Sequence, residues 1–275
     1  PLELGPIQAV SHGILGVGVN GSGVIDPNFR SSTNAGARET KGNVFAFGGE
    51  WTGERMTVNA EFAYSDSETT NPGLSTTLDF INPHGPQPTV NSRDNGVPIE
   101  FDVTGSTLQF GIAQCQATTP SAAEFLDPSN YALRIIRDTG NTRDNSDTAF
   151  RVDVSYDVSD MMPFITEVEA GFRWNEATSE ASAESIAANF ANRFYRPSAD
   201  LFASVVSAGP NNFNEVDGRT LFFKDFLMVD QDISFENPQK VTDRINNAIT
   251  SNKATQIPNG NLTADTAYGT LDDPN

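Results

Sequence analysis

A strict alternation of apolar and polar side chains between Met56 and Ser67 constrains the fold more than any other feature of the sequence. Counted in steps of two, one set of positions is apolar or aromatic, and the other set is mostly polar or small. The apolar set is Met56, Val58, Ala60, Phe62 and Tyr64. Because successive side chains of a β-strand point to opposite faces, this pattern predicts a strand with one apolar face and one polar face.

The residues just before this run predict a partner strand. Residues 44–51 are also strand-like, with Phe45, Phe47 and Trp51 on one side. The four residues Thr52-Gly53-Glu54-Arg55 lie between the two runs, and their number and composition suit a tight hairpin.

The same unit recurs further along the chain. Residues 149–158 alternate, a short polar turn follows near Met162-Pro163, and residues 164–175 alternate again. The two apolar sets are Phe150, Val152, Val154, Tyr156 and Val158, and Thr166, Val168, Ala170, Phe172 and Trp174. Charged side chains are expected on the polar faces: Glu61, Arg151, Asp153, Glu167, Glu169 and Arg173. The sequence therefore predicts two antiparallel strand pairs, at about 44–67 and 149–175.

Two long segments, at about 68–148 and 177–275, separate and follow the hairpins. Long connections without regular structure are uncommon in compact soluble domains. Strands of about ten residues, short turns on one side and long loops on the other are typical of transmembrane β-barrels, in which aromatic residues mark both membrane interfaces. The aromatic residues near the predicted strand ends are Trp51, Tyr64, Tyr156 and Trp174. The alternation also suits a soluble β-sandwich or jelly roll with one solvated face, so both architectures remain open.

Charge and composition exclude several classes of protein. The chain has 17 basic and 36 acidic residues and a net charge of −19. No basic face for nucleic acid or for anionic lipid headgroups can be assembled from so few cations. Cys115 is the only cysteine, which excludes an internal disulfide and a cysteine-based zinc site. No apolar run approaches the roughly 18 residues of a membrane-spanning helix, and residues 1–5 do not predict a signal peptide.

Both hairpins resemble the barrel of TonB-dependent outer-membrane receptors, especially the large proteobacterial branch of that family. In the first hairpin the resemblance is carried by Gly48-Gly49-Glu50-Trp51 and Tyr64-Ser65-Asp66-Ser67-Glu68. In the second it is carried by Arg151-Val152-Asp153 and Glu169-Ala170-Gly171-Phe172-Arg173-Trp174. Thr77-Leu78-Asp79-Phe80 and Phe125-Leu126-Asp127-Pro128-Ser129-Asn130-Tyr131 fit the same branch. The likeness covers about residues 40–180.

The resemblance implies an all-β fold in the cell outer membrane: a portion of an antiparallel transmembrane β-barrel with long, partly helical extracellular loops. It implies a receptor and transporter, not an enzyme, that binds a scarce nutrient such as an oligosaccharide or an iron chelate. The TonB complex would supply the energy for import through a plug domain. That plug, the TonB box and the aromatic C-terminal strand of the family are not visible in residues 1–275, and outer-membrane lipid would surround the strands.

The number of predicted strands is too small for a closed barrel. Four spanning strands are clear, and a fifth is possible at Gln8 to Val19, whereas the smallest barrels need about eight. Residues 1–275 are therefore expected to form a partial barrel.

The alternative is a secreted all-β binding or structural module, such as an adhesin or a fibre subunit. Its apolar strand faces would be buried against a second sheet, whereas a barrel wall would leave Phe62, Val154 and Phe172 outside any soluble core.

Catalytic, metal and cofactor sites are not predicted, and the ligand-binding residues are unknown. His12 and His84 have no spacing that supports a metal pair or a catalytic triad. Asp138, Asn141, Asp144 and Asp147 lack the spacing of an EF-hand, although weak calcium binding is an open alternative to a solvated acidic turn. Segment 68–148 has four basic and ten acidic residues, and segment 177–275 has seven and thirteen, so each carries a net charge of −6. We therefore expect a neutral or cationic ligand.

Three helices are predicted in the last long segment. The first covers Ser182 to Phe194, because Ile186, Phe190 and Phe194 recur at four-residue spacing. The second covers residues 199–207. The third begins at Asn237-Pro238, a good N-cap and first-position pair, with Val241, Ile245 and Ile249 on one face.

Overall fold

A computed structural model describes residues 10–15, 28–85, 96–190, 205–208 and 225–259. Of these described residues, 57% are in strands and 16% are helical, and most of the sheet is antiparallel, which confirms the predicted all-β class. The strands are β1 (His12–Leu15), β2 (Arg30–Gly36), β3 (Glu39–Thr52), β4 (Met56–Phe80), β5 (Ile99–Asp102), β6 (Gln109–Ile112), β7 (Tyr131–Asp157), β8 (Glu167–Asn189), β9 (Val206–Ala208) and β10 (Leu227–Val229). The helices are α1 (Ala122–Phe125), α2 (Gln231–Glu236) and α3 (Pro238–Gln256), and a 3-10 turn covers Pro128–Asn130.

The chain divides into two compact units. The sheet unit consists of Gly36–Gly73 and Thr139–Ser185. The core unit consists of Pro1–Ala35, Leu74–Asp138 and Ile186–Asn275.

The first predicted hairpin is present in the sheet unit. β3 pairs antiparallel with β4 in one continuous register, from Glu39 opposite Thr70 to Thr52 opposite Thr57. The turn between them is closed by a hydrogen bond of 2.8 Å from the Gly53 amide to the Met56 carbonyl.

The second hairpin lies beside the first, because β4 pairs with β7 and β7 pairs with β8. The Val158 amide donates to the Thr166 carbonyl at 3.0 Å and closes the β7–β8 turn. Asn145 on β7 connects both neighbouring strands: its amide nitrogen donates to Ser67 Oγ at 3.4 Å, and its side-chain oxygen accepts from Ser179 Oγ at 2.8 Å. The order β3-β4-β7-β8 makes the sheet unit a four-stranded antiparallel sheet.

The strands are much longer than predicted. β4 has 25 residues and β7 has 27, so residues 68–80 and 131–148 are strand although they were predicted to be loop. The prediction ended each strand where the apolar alternation ends. Backbone pairing continues past that point because it does not require apolar side chains: the Thr40 and Thr69 hydroxyls still meet at 3.0 Å across the β3–β4 pair.

The core unit contains most of the buried apolar side chains. Alternate residues Leu74, Leu78 and Phe80 of β4 are buried there. The ring of Phe80 stacks on that of Phe125, with centroids 4.3 Å apart. Most of the remaining core comes from β7, β10 and α3, and the other members are Val97, Ile112, Ala188, Phe190 and Val205. The core therefore assembles from residues far apart in the sequence.

Tyr131 links three parts of the core unit through a buried hydroxyl. The hydroxyl donates to the Phe125 carbonyl at 2.8 Å and accepts from the Leu227 amide at 3.1 Å. Burial raises the pKa of this hydroxyl above its usual range, so the group stays neutral. A buried phenol with both partners in place fixes the positions of these backbone segments relative to each other.

Small elements complete the core unit. β1, β5 and β6 form a three-stranded antiparallel sheet in the order β1-β5-β6, and β9 pairs with β10. The Thr33 hydroxyl of β2 donates to the Val229 carbonyl of β10 at 2.6 Å.

Helix α1 begins with a capping box. The Ser121 hydroxyl accepts from the Glu124 amide at 3.3 Å, and the Glu124 carboxylate accepts from the Ser121 amide at 2.7 Å. The backbone hydrogen bond from Ser121 holds the pKa of Glu124 below its usual range, with a smaller contribution from His84. His84 Nε2 lies 2.9 Å from the same carboxylate.

The third predicted helix is confirmed as α3. The Asn237 side chain accepts from the Lys240 amide at 3.1 Å, and Pro238 occupies the first turn. Val241, Ile245 and Ile249 are buried, as their spacing predicted.

The predicted helix at Ser182 to Phe194 is wrong over the part that the structure describes. Residues up to Asn189 belong to β8, and the Phe190 amide donates to the Arg134 carbonyl of β7 at 2.6 Å. Ala188 and Phe190 are buried at alternate positions, a period of two instead of four. Pairing with β7 overrides the helical propensity of this alanine-rich run. Residues 191–194 lie outside the described residues.

Two further predictions fall partly outside the described residues. Of the helix predicted at 199–207, positions 199–204 are not described, and the end is wrong because Val206–Ala208 is strand β9. Of the strand predicted at Gln8 to Val19, the described part contains β1, which pairs with β5 in the core unit and is not a fifth strand of the sheet unit.

We expect Ile245→Ala to lower the free energy of unfolding by about 2–5 kcal/mol, because it removes a fully buried side chain and leaves a cavity. Denaturant unfolding of the purified protein measures the change. Asn247→Ala is the matched control, since Asn247 is exposed on the same helix and a surface change costs less than about 0.5 kcal/mol. Equal effects of the two variants would contradict the assigned core.

We expect Glu124→Gln to destabilise the protein at neutral pH and to have no effect in acid. The pKa of Glu124 is lowered in the folded state, so its stabilising contribution is present above the unfolded pKa near 4.5 and disappears as the pH falls through the folded value. Unfolding of wild type and variant between pH 3 and pH 7 measures the difference, and a gap that persists at the acid end would refute the capping role.

Candidate functional site

The strand registers place the apolar residues of all four long strands on one face of the sheet unit. Phe45 lies opposite Tyr64, Phe47 opposite Phe62 and Trp51 opposite Val58. The contacts Asn145–Ser67 and Asp157–Arg55 fix the β4–β7 register and bring Phe150 opposite Phe62. The contacts Val158–Thr166 and Asn145–Ser179 fix the β7–β8 register, which brings Phe150 opposite Trp174. The apolar band is defined as Phe45, Phe47, Trp51, Met56, Val58, Phe62, Tyr64, Phe150, Val152, Val154, Tyr156, Val168, Phe172 and Trp174.

The side chains of the apolar band are largely exposed. Phe45, Phe47 and Phe172 are 58%, 61% and 62% exposed. Phe62 and Val154 are half-buried, and the Phe62 ring contacts that of Phe47 with centroids 5.4 Å apart. Phe62, Val154 and Phe172 are therefore not sealed in a core. Contiguous apolar patches of this kind are rare on soluble monomers and mark protein or membrane contact sites.

Measured along the strand, the apolar band is about as long as a tilted transmembrane β-strand, which crosses a bilayer with about 9–11 residues. Along β4 it extends from Met56 to Tyr64, about 26 Å at roughly 3.3 Å per residue. The next residues on the same face are Asp66, which accepts a hydrogen bond of 3.1 Å from Asn43 Nδ2, and Glu68. The hydrocarbon core of a bilayer is about 30 Å thick.

The aromatic residues mark the limits of this band and not always the strand ends. Trp51 and Tyr156 lie close to the turns, as predicted. Tyr64 and Trp174 were predicted near strand ends, but β4 continues to Phe80 and β8 to Asn189. Tyr64 and Trp174 instead mark the point at which the side chains change from apolar to polar. Beyond that point the strands continue as paired polar segments.

The opposite face of the sheet unit is polar and borders a cavity of about 650 Å³. Four of the charges predicted on this face line the cavity: Glu61, Arg151, Asp153 and Glu169. Arg151 and Asp153 form an ion pair. Gly171 lies across from this pair, and a side chain there would collide with the Asp153 carboxylate. Three carboxylates against one guanidinium favour a neutral polar or cationic group on this surface.

The two histidines of the sequence each lie beside a carboxylate in the core unit. His12 Nε2 lies 2.8 Å from Glu100 Oε1, and His84 lies beside Glu124, so each histidine is paired with a carboxylate. Cys115 is exposed and has a φ of 59°. Gly16 to Gly21, which do not have the sequence context of a nucleotide-binding loop, lie outside the described residues.

The four polar residues of segment 138–147 do not converge. Asp138 and Asp144 lie on one face of β7, whereas Asn141 and Asp147 lie on the other, because side chains alternate along a strand. Within the described ranges, no group of three or more His, Cys, Asp or Glu residues could hold a metal ion.

The β7–β8 turn differs from its prediction. It was predicted to be polar, with a strand from residue 164, but β8 begins at Glu167, and Met161, Met162, Phe164 and Ile165 are all exposed in the turn. The sequence contains these four apolar residues, but only the structure shows that no other described residue covers them.

Comparison with known proteins adds no family to these observations. No protein-family model matches the sequence, and none of the curated proteins is significantly similar to it. Among the described residues, no helix combines the length and the apolar character that a membrane span requires.

Proposed function

We propose that this chain forms part of the wall of an outer-membrane β-barrel receptor and that the apolar band contacts lipid. The observation that carries the proposal is the apolar band itself. One face of a four-stranded sheet is apolar and exposed over the length of a transmembrane β-strand, while the other face carries charged side chains. Transmembrane β-barrels have this outward apolar band and this polar interior.

Lipid contact would bury the apolar side chains of the band, which water leaves exposed. Burying a large apolar side chain stabilises a protein by about 1.5–3 kcal/mol, and Phe45, Phe47 and Phe172 each leave more than half of their surface exposed. Acyl chains around the band would recover this contribution. The placement of the charges fits the same surface, because Glu61, Arg151, Asp153 and Glu169 line the opposite face.

The edges of the sheet point to additional strands. In the part of the chain that the structure describes, β3 pairs with β4 alone and β8 with β7 alone. Backbone groups within lipid need hydrogen-bond partners inside the protein. We therefore infer that further strands, from the same polypeptide or from other copies, pair with β3 and β8 and close the wall.

Within this proposal the protein is a TonB-dependent receptor that binds a scarce nutrient outside the cell and imports it. Support comes from the sequence resemblance of both hairpins and from strands that continue well past the apolar band. The TonB complex would act through a plug domain, and ligand binding would involve the long segments 68–148 and 177–275. The acidic balance of both segments favours a neutral or cationic ligand, such as an oligosaccharide or a cationic chelate.

We expect Phe62→Arg to prevent stable insertion into membranes, whereas Ala63→Arg has little effect on insertion. The two positions are neighbours on β4 but face opposite sides of the sheet. Arginine on the lipid face costs about 2–4 kcal/mol at the membrane centre and less towards the interfaces, and Phe62 lies between the centre of the band and Tyr64 at its edge. A charge on the polar face does not enter lipid. Fractionation of cells that express each variant, followed by a urea wash of the membranes, measures the inserted amount.

Equal insertion of the two variants would contradict lipid contact at Phe62. A wild-type protein that is extracted without detergent and remains monodisperse in buffer would favour the alternative, a secreted binding or structural module with its apolar face against a second sheet.

A further inference from the structure

The β7–β8 turn presents a cluster of exposed apolar side chains. The apolar turn is defined as residues 158–166, and its exposed apolar members are Met161, Met162, Phe164 and Ile165. Phe164 is 96% exposed, more than any other large apolar side chain of the described residues. The β3–β4 turn beside it consists of Gly53, Glu54 and Arg55 and contains no apolar side chain. The exposure of the apolar turn is therefore a property of one hairpin and not of every turn at this end.

Asp160 is the charged residue of the apolar turn and Asp157 lies just before it, and both carboxylates have partners. The Asp157 carboxylate accepts from the Ser159 amide at 2.9 Å, and Asp160 forms an ion pair with Arg55 of the neighbouring turn. Moving the turn out of water would therefore not strand an isolated charge, which would be the most expensive group to desolvate.

Much of the turn's backbone is also satisfied internally. The Met161 and Met162 amides both donate to the Val158 carbonyl, at 2.9 Å and 3.0 Å, and the Ile165 amide donates to the Met162 carbonyl at 3.3 Å. Pro163 has no amide hydrogen to satisfy. A turn built in this way can leave bulk water at a low cost in lost hydrogen bonds.

The apolar turn continues directly from the apolar band. Tyr156 and Val168, the band residues next to the turn on β7 and β8, are themselves exposed. Arg55 of the neighbouring turn is engaged with Asp160, and the chain is strongly acidic. The surface therefore fits an uncharged lipid interface and has no basic group with which to recruit anionic headgroups.

We propose that the apolar turn inserts Met161, Met162, Phe164 and Ile165 into the boundary between lipid headgroups and acyl chains and anchors this end of the hairpin in the membrane. The inference rests on the proposed function, because it requires lipid beside the sheet unit. It extends that function from the flat strand face to a turn that would otherwise be expected in water.

Site-specific labelling tests the anchor. Cys115 is the only cysteine, so Cys115→Ser gives a background into which Phe164→Cys can be introduced and labelled with an environment-sensitive fluorophore. Glu54→Cys in the polar turn is the matched control, and Phe172→Cys in the apolar band reports lipid contact of the strand face. All three positions are exposed, so the replacements do not disturb a core. The full chain is reconstituted in phosphatidylcholine vesicles without quencher, with lipids that carry a quencher at the headgroup–acyl boundary for positions 54 and 164, and with lipids that carry it near the bilayer centre for position 172.

We expect lipid quenching at position 164 to be several-fold stronger than at position 54, together with a blue-shifted emission at 164. Quenching at 172 with none at 164 would refute the anchor and leave the lipid-facing strand face intact. Absence of quenching at both 164 and 172 would refute the proposed function as well. Protection of 164 from an aqueous quencher without quenching by lipid would also overturn the anchor, since a protein surface would then cover the turn.

Discussion

The continuous antiparallel register of the long strands is the constraint on which the rest of the structure depends. Between Glu39–Thr70 and Thr52–Thr57 the β3–β4 ladder contains no interruption. A slip of one residue would move Phe45, Phe47 and Trp51 to the opposite face from Phe62 and Tyr64. The apolar band and the polar cavity both exist because four strands keep their alternation in step, so the hydrogen-bonding ladder sorts the side chains into two surfaces.

β4 and β7 run through both units, but the two units bury their apolar side chains to different extents. In the core unit, alternate residues of β4 are buried, and Tyr131, Phe125 and Leu227 are joined through one hydroxyl. In the sheet unit, the apolar side chains remain exposed, so their stabilisation depends on the surroundings of the protein. The core unit carries its own apolar environment, whereas the sheet unit needs one supplied by lipid or by another protein layer.

The proposed receptor and the proposed membrane anchor follow from the same unequal distribution of polarity. The charges of Glu61, Arg151, Asp153 and Glu169 lie on the cavity side of the sheet, and Asp160 is paired with Arg55 in the turns. Exposed aromatic and methionine side chains lie on the other face and at the tip of the second hairpin. Lipid contact accounts for both groups at once, because it rewards burial of apolar surface and penalises unpaired charge.

The sequence by itself determined the two hairpins, the face on which the aromatic residues lie and helix α3, because these follow from local periodicity and from the Asn237-Pro238 cap. Tertiary pairing decided the rest. β8 replaced a predicted helix because backbone bonds to β7, such as Phe190 to Arg134, outweigh the propensity of an alanine-rich run. Periodicity also could not predict the strand lengths, the burial of Tyr131 or the exposure of Phe164. Each depends on which distant segment lies alongside, and a spacing rule for neighbouring residues carries no information about such partners.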